Sequence, residues 1–156
     1  MGGSQRYIVI MKWTGDAVDR KFMALAQHVA EWSTDTSTKI GAVIAGSFDN
    51  VIATGANRLV DGIVQHDKRK ERPAKYLYTV HAEVRAICNA AMAGVSTKGA
   101  TMYVSGLPPC HNCAQAIVTA GIDRVVVASM DVPDRWQESI SAGKMILQET
   151  ITLNIC

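Results

Sequence analysis

The sequence predicts a three-layer α/β/α sandwich around a mixed sheet, on three observations. An amphipathic helical segment leads into two adjacent strand-like runs. Strands and helices then alternate to the end, and two Ala-rich helical stretches each open on residues suited to binding a metal. Apolar strands alternating with helices form a sheet whose faces the helices must cover. A chain of 156 residues is long enough for a sizeable core. Residues 1–156 therefore read as a single domain, with 1–6, beginning Met1-Gly2-Gly3-Ser4, as a flexible leader.

Taken in order, Tyr7 to Met11 is a short apolar stretch that either adds a strand or packs on the surface. Asp16 to Trp32 reads as the first helix, with Asp16 as N-cap and Phe22, Leu25, Ala26, Val29 and Trp32 as an apolar stripe at helical period. His28 on that helix reads as a surface or packing residue, since nothing pairs with it in sequence. Residues 33–39 form a polar connection. Ile40 to Ala45 and Val51 to Gly55 are the strands of a hairpin turned at Asp49-Asn50, the first so apolar that both its faces should be covered.

Residues 57–80 show no periodic element, and a loop of that length inside a compact domain is usually functional. Lys68, Arg69, Lys70, Arg72 and Lys75 place five positive charges within eight residues. They are either a solvated loop or a lid that draws in a phosphate. His66 is a candidate for a second metal ligand or a substrate contact.

Residues 81–94 and 110–120 read as helices, with strand Thr101 to Ser105 between them. Pro108 and Pro109 end that strand and help start the second helix. Arg124 to Ser129 is a further buried strand, Asp134 to Lys144 a last helix, and Ile151 to Ile155 alternates as a half-buried strand. No internal repeat or low-complexity tract appears.

The chemistry is concentrated in His81-Ala82-Glu83 and in Pro109-Cys110-His111-Asn112-Cys113, with Cys110 following His81 by 29 positions. His81, Cys110 and Cys113 make three zinc ligands. A zinc ion with only three protein ligands keeps its fourth position for water, the catalytic rather than the structural arrangement. It lowers the pKa of that water to about 7. Both ligand groups lie at helix starts, where the partial positive charge favours thiolate. Glu83 then serves as a proton carrier between water and substrate rather than as a fourth ligand. Cys88 lies two turns along the same helix as His81, about 10 Å away, too far to share the metal, and reads as a buried core thiol. Cys156 reads as an uninvolved tail thiol.

Composition narrows the field. A net charge of +2 gives no electrostatic argument for a nucleic-acid partner, and nine aromatics offer no stacking surface interleaved with basic residues. No apolar run reaches the roughly 20 residues of a membrane span, and no signal peptide is evident. Four cysteines, two assigned to metal, fit a reducing cytoplasm.

From about Phe22 to Ser129 the chain resembles the deoxycytidylate (dCMP) deaminases of the cytidine deaminase-like superfamily. The residues that carry the likeness are the 37–44 run Ser-Thr-Lys-Ile-Gly-Ala-Val-Ile, Gly55-Ala56-Asn57, Lys75-Tyr76, the 79–83 run Thr-Val-His-Ala-Glu, the 109–114 run Pro-Cys-His-Asn-Cys-Ala, and Ala120-Gly121-Ile122. The His-x-Glu and Pro-Cys-x-x-Cys pair is the signature of zinc-dependent nucleobase deaminases. The resemblance implies a five-stranded sheet with the zinc helices on one side. It also implies hydrolytic loss of the 4-amino group as ammonia, and a homo-oligomer, dimer to hexamer. It places zinc on His81, Cys110 and Cys113, the proton shuttle on Glu83 and a pocket asparagine on Asn57. Ala82, Tyr76 and Pro109 are further expected substrate contacts, and Lys39 or the 68–75 basic run is expected to meet the phosphate. Two positions depart from the pattern. The family commonly reads Gly-Tyr-Asn-Gly-x-Pro where this chain has Gly55-Ala56-Asn57-Arg58-Leu59-Val60, and has asparagine where this chain has Arg85.

The expected reaction is dCMP, or a close cytosine nucleotide, to its uracil product. The alternatives are a deaminase of another ring (guanine, adenine in tRNA, a free pyrimidine) and a silent nucleotide-binding module. The tRNA branch usually carries Glu before Pro-Cys, where this chain has Pro108, and a silent module would have lost Glu83.

Overall fold

Alternate residues of the central strands face opposite helical layers, and that alternation organises the computed structural model, which describes residues 16–156. In β1 (Gly41–Ala45), Ala42 and Ile44 enter one core while Val43 and Ala45 enter the other. Strand β5 (Thr101–Ser105) splits the same way, Met102 and Val104 against Tyr103. So does β6 (Arg124–Val127), Val125 and Val127 against Val126. Successive side chains of a strand point to opposite faces, so continuous apolar runs need a layer on each side.

With β2 (Val51–Ala56) and β7 (Thr152–Ile155) these strands form a five-stranded sheet in the order β2-β1-β5-β6-β7. The first two pairings are antiparallel and the last two parallel, so the sheet is mixed, as anticipated. Helix α1 (Asp16–Ala30) covers one face through Phe22, Met23, Ala26 and Val29. The other face carries α3 (Ala82–Ala93), α4 (His111–Thr119) and α5 (Gln137–Thr150), represented in the core by Ala82, Ala86, Ala114, Ile117 and Leu147.

Several expectations change. The leader and the Tyr7–Met11 stretch lie outside the described residues, as does the chain before Asp16 on which its capping role depends. Trp32 fits the helical stripe by spacing but is 64 % exposed, because α1 stops at Ala30 and the next residues turn away. The β1–β2 connection turns through Ser47–Asp49, slightly before the expected Asp49-Asn50. Helix α5 runs six residues past Lys144, since Ile140, Gly143 and Leu147 keep one buried face along it. Edge strand β7 is more exposed than its alternation suggests, with Ile155 64 % exposed.

The 57–80 stretch is built from pieces too short for periodicity to reveal. These are β3 (Arg58–Leu59), a single 3₁₀ turn at Asp67–Lys70, α2 (Lys75–Tyr78) and β4 (Thr79–Val80). β3 and β4 pair antiparallel as a separate small ribbon that leads directly into His81.

Candidate active site

Helix α3 lies very close to the sheet, because its sheet-facing side is alanine. Ala82, Ala86 and Ala90 recur every four residues and are fully buried. Opposite them Gly55 leaves room. A Cβ there would fall 2.5 Å from the Ala86 amide nitrogen and 2.6 Å from the Ala82 carbonyl oxygen. This seating fixes the start of α3, where His81 is the N-cap and Glu83 sits in the first turn, 3 % exposed. Cys88 is exposed, contrary to expectation, because it lies about 200° around the helix from Ala86.

Cys110 is the N-cap of α4 and accepts a hydrogen bond from the Cys113 amide at 3.5 Å. Helix α5 braces this turn. A Cβ on Gly143 would fall 2.5 Å from the Pro109 carbonyl oxygen. The two helix starts bring three donors together. His81 Nδ1 is 3.3 Å from Cys113 Sγ and 3.6 Å from Cys110 Sγ, and the three ligand atoms lie within 4.8 Å of one another. Tetrahedral zinc with bonds of about 2.0–2.3 Å to nitrogen and sulfur needs such atoms roughly 3.5 Å apart, so this donor set fits the ion. It is the single such cluster among the described residues.

The electrostatics suit a metal as well. The hydrogen bond shared with Cys113 pulls the Cys110 thiol down to about 4 against the effect of burial, with His81 assisting. The same shared bond, with burial, pushes Cys113 up. Contact with Cys110 raises His81 although burial opposes it. Burial pushes the Glu83 carboxyl up, partly offset by its own backbone amide and by His81.

A cavity opens beside this cluster, with His81, Glu83 and Cys110 in its lining. Asn57 lines it, but both ends of its amide are engaged. Oδ1 accepts from the Ile40 amide at 2.8 Å, and Nδ2 donates to the Thr38 carbonyl at 2.8 Å. Asn57 thus holds the 33–40 connection against the end of β2. Asp35 shapes that connection from within, accepting from the Ser37 and Thr38 amides at 2.8 and 2.9 Å and from Lys75 Nζ at 2.8 Å. Tyr76 and Trp136 stand at the mouth, edge to face at 5.9 Å, and Trp136 also meets the His81 ring edge-on at 6.1 Å.

The other expected contacts lie as follows. Lys39 does not line the cavity. Thr38 and Ile40 do, and Lys39 between them is exposed. Ala82 and Pro109 are buried beneath the site, Ala82 in the sheet-facing core and Pro109 under Gly143. The basic run is not a single positive surface. Lys75 is buried on Asp35, Lys70 lies 3.8 Å from Asp67, and Arg69 donates to the Val64 carbonyl and covers the Tyr78 ring. Of the five, Arg72 and Lys75 reach the cavity wall. His66 is exposed and stands apart from the metal cluster.

A model of the cytidine and deoxycytidylate deaminase zinc-binding region matches residues 16–129. The chain belongs to that deaminase family. It is 33 % identical over 138 residues to an uncharacterized deaminase in the luxG 3' region of Aliivibrio fischeri, covering 87 % of each chain. Human deoxycytidylate deaminase is 35 % identical over 127 residues, covering 78 % of this chain and 67 % of the human one. In fold the chain is similar to a dCMP deaminase from cyanophage S-TIM5 solved with dCMP and dUMP. The TM-score is 0.75 at 20 % identity, covering 91 % of this chain and 98 % of that one.

The Arg85 side chain crosses from α3 to the loop after β3. Nη1 meets Asp61 at 2.8 Å and Nη2 donates to the Leu59 carbonyl at 3.2 Å, while Nε is buried without a partner. The 57–61 segment is thereby tied to α3. Sequence reasoning missed Arg135 and Trp136 altogether. They precede α5 and reach the cavity from more than 20 residues beyond Cys113, in no motif.

Proposed function

We propose that this member of the deaminase family hydrolyses dCMP to dUMP and ammonia, as a cytoplasmic homo-oligomer in which residues 1–156 make one zinc-dependent deaminase domain. The observation that carries the reading is the convergence of His81, Cys110 and Cys113 with a buried Glu83 in the wall of a cavity. The deoxycytidylate deaminase activity named for the human relative supports the choice of ring.

Zn²⁺ held by His81, Cys110 and Cys113 would supply Lewis-acid activation of a water molecule. Glu83 would move a proton from the attacking water to N3 of the ring as C4 takes up the oxygen. It then carries the second water proton to the 4-amino group, which leaves as ammonia while the C4 carbonyl forms. One water is consumed and one ammonia released, with no redox change. Asn57 acts by fixing the Thr38–Ile40 backbone against which the substrate lies. Tyr76 and Trp136 exclude water from the mouth once the ring is seated.

Zinc-loaded protein is assayed for ammonia against cytosine, adenine and guanine bases, nucleosides and nucleotides. Turnover of dCMP above all others is expected. Preference for a guanine or adenine compound would replace the ring, and silence across the panel would leave a nucleotide-binding module. Sedimentation checks the oligomer.

A further inference from the structure

We infer that Arg85 is a positioning residue for the reaction, a role that rests on the deamination proposed above. It touches no substrate. It fastens the base of the 57–80 connection to helix α3, and so sets the cavity wall at Asn57 and Thr79 against His81 and Glu83. Arg85 sits one turn into α3, its amide donating to the His81 carbonyl at 2.9 Å. It does not line the cavity, yet its side chain is only 11 % exposed. Nη1 reaches Asp61 at 2.8 Å and Nη2 the Leu59 carbonyl at 3.2 Å. Two separate acceptors on one short segment suit a planar fork better than a point charge. Nε stays buried without a partner. A tie serving stability alone gains nothing from a buried unpaired N–H, and such an exception calls for another reason.

The segment that Arg85 holds is where two wall-forming connections meet. Leu59, 2 % exposed, is held at both its backbone groups. Its amide donates to Thr34 Oγ1 at 3.0 Å, and its carbonyl accepts from Arg85. Ser33 Oγ donates to the Asn57 carbonyl at 2.6 Å, and the Val60 amide to the Tyr78 carbonyl at 2.9 Å. Leu59 pairs with Thr79 across the β3–β4 ribbon, two residues before His81. Asn57 and Thr79 both line the cavity. Among the described residues, the hydrogen bonds from Arg85 are the ones that join 57–61 to α3. They close a ring that runs from β3 through the 60–78 excursion and β4 to His81, then back along the first turn of α3. Without them the ribbon keeps its own pairing but can swing where the chain passes from strand to helix, shifting Thr79 and the Asn57 end of β3. The ligands and Glu83 would stay in place, because close contacts at Gly55 and Gly143 seat the starts of α3 and α4. Substrate placement, and not the reacting groups, therefore depends on Arg85.

The test uses the zinc-loaded full chain as wild type, Arg85→Gln, Arg85→Lys, Asp61→Asn and, as control, Asn89→Ala. Asn89 donates from the same helix to the Thr54 carbonyl at 2.8 Å, with no tie to 57–61. Steady-state kinetics on dCMP are paired with calorimetric binding of dUMP, which reports the walls without chemistry. Arg85→Gln should raise KM for dCMP and weaken dUMP about 10-fold or more, with zinc content unchanged and kcat less affected. Arg85→Lys and Asp61→Asn should fall between it and wild type, since each keeps part of the fastening. Asn89→Ala should lower Tm and leave KM alone. A lowered Tm in Arg85→Gln with KM and dUMP affinity unchanged would make Arg85 a plain stabilising contact and overturn the inference, as would loss of zinc. Should Arg85→Gln fail to fold, Arg85→Lys and Asp61→Asn decide by the same two readouts. If dCMP is not turned over, the proposed reaction fails and dUMP binding decides. Weakening in Arg85→Gln upholds the positioning of the walls; absent or unchanged binding overturns it.

Discussion

Lys75 Nζ lies 2.8 Å from Asp35 Oδ2, and the two residues, 40 positions apart, bury each other almost completely. The pair joins α2 to the 33–40 connection. Removing one member of a buried pair leaves the other charge uncompensated, at a cost of about 3–5 kcal/mol. Lys75→Ala should lower the unfolding free energy by about 3 kcal/mol in urea titration, and Lys75→Ala with Asp35→Asn should recover part of it. A loss below about 1 kcal/mol in the single variant would show that the pair is not a structural fastening.

Acid should weaken the fold with a definite sign. Burial alone would raise Asp35, but hydrogen bonds from Lys75 and from the Thr38 and Ser37 amides outweigh it and hold the carboxyl at about 2. Arg124 lowers Asp19 through a two-pronged hydrogen bond at 2.9 and 2.7 Å. A carboxylate depressed in the folded state contributes stability that is complete above its unfolded pKa, near 3.9, and is lost as pH falls through the folded value. For Asp35 this is about 2 kcal/mol, fading between roughly pH 4 and pH 2. Urea titrations across that interval should show stability falling with pH, and Asp35→Asn should flatten the slope.

Cys110→Ser and Cys113→Ser should each abolish stoichiometric zinc, because a hydroxyl is a poor substitute for thiolate. Purified wild type should carry about one zinc per chain by elemental analysis. Full occupancy in both variants would refute the ligand set.

Glu83→Gln should keep zinc and fold yet lose about 10²-fold or more in kcat, the usual effect of removing a general acid–base. The side chain is nearly isosteric and the site is buried, so circular dichroism should match wild type. A folded variant that had lost its zinc would make Glu83 a ligand instead.

The parts legible in the sequence were those with a local signal. His81-Ala82-Glu83 and Cys110 to Cys113 are contiguous, and β1, β5 and β6 are apolar runs that only a covered strand explains. What stayed hidden depends on distance or on short elements. Lys75 looked like one charge of a basic loop because its partner lies 40 residues earlier. β3 and β4 have two residues each, too few for any period. Tyr103, Asp19 and Arg124 form a buried polar chain that exposed Asn154 extends, four residues from four separate elements, and nothing in their spacing announces it. Arg135 and Trp136 enter the cavity because α5 packs against α4 through Gly143 and Pro109, a contact made of backbone.

The alanine seat of α3 has a consequence for how such an enzyme can diverge. The reacting groups ride on helices locked to the sheet with almost no tolerance, so a Cβ at Gly55 or Gly143 would already disturb them. Most of the walls that decide admission come instead from connections 33–40, 57–80 and 131–136, with Leu107, Pro108 and Ile140 completing them. Novel substrates can thus be recruited by redrafting those connections while the reaction centre is inherited intact. The Asp35–Lys75 fastening couples 33–40 to 57–80, and the Tyr76–Trp136 ring contact couples 57–80 to 131–136, so randomised libraries should vary the three connections together.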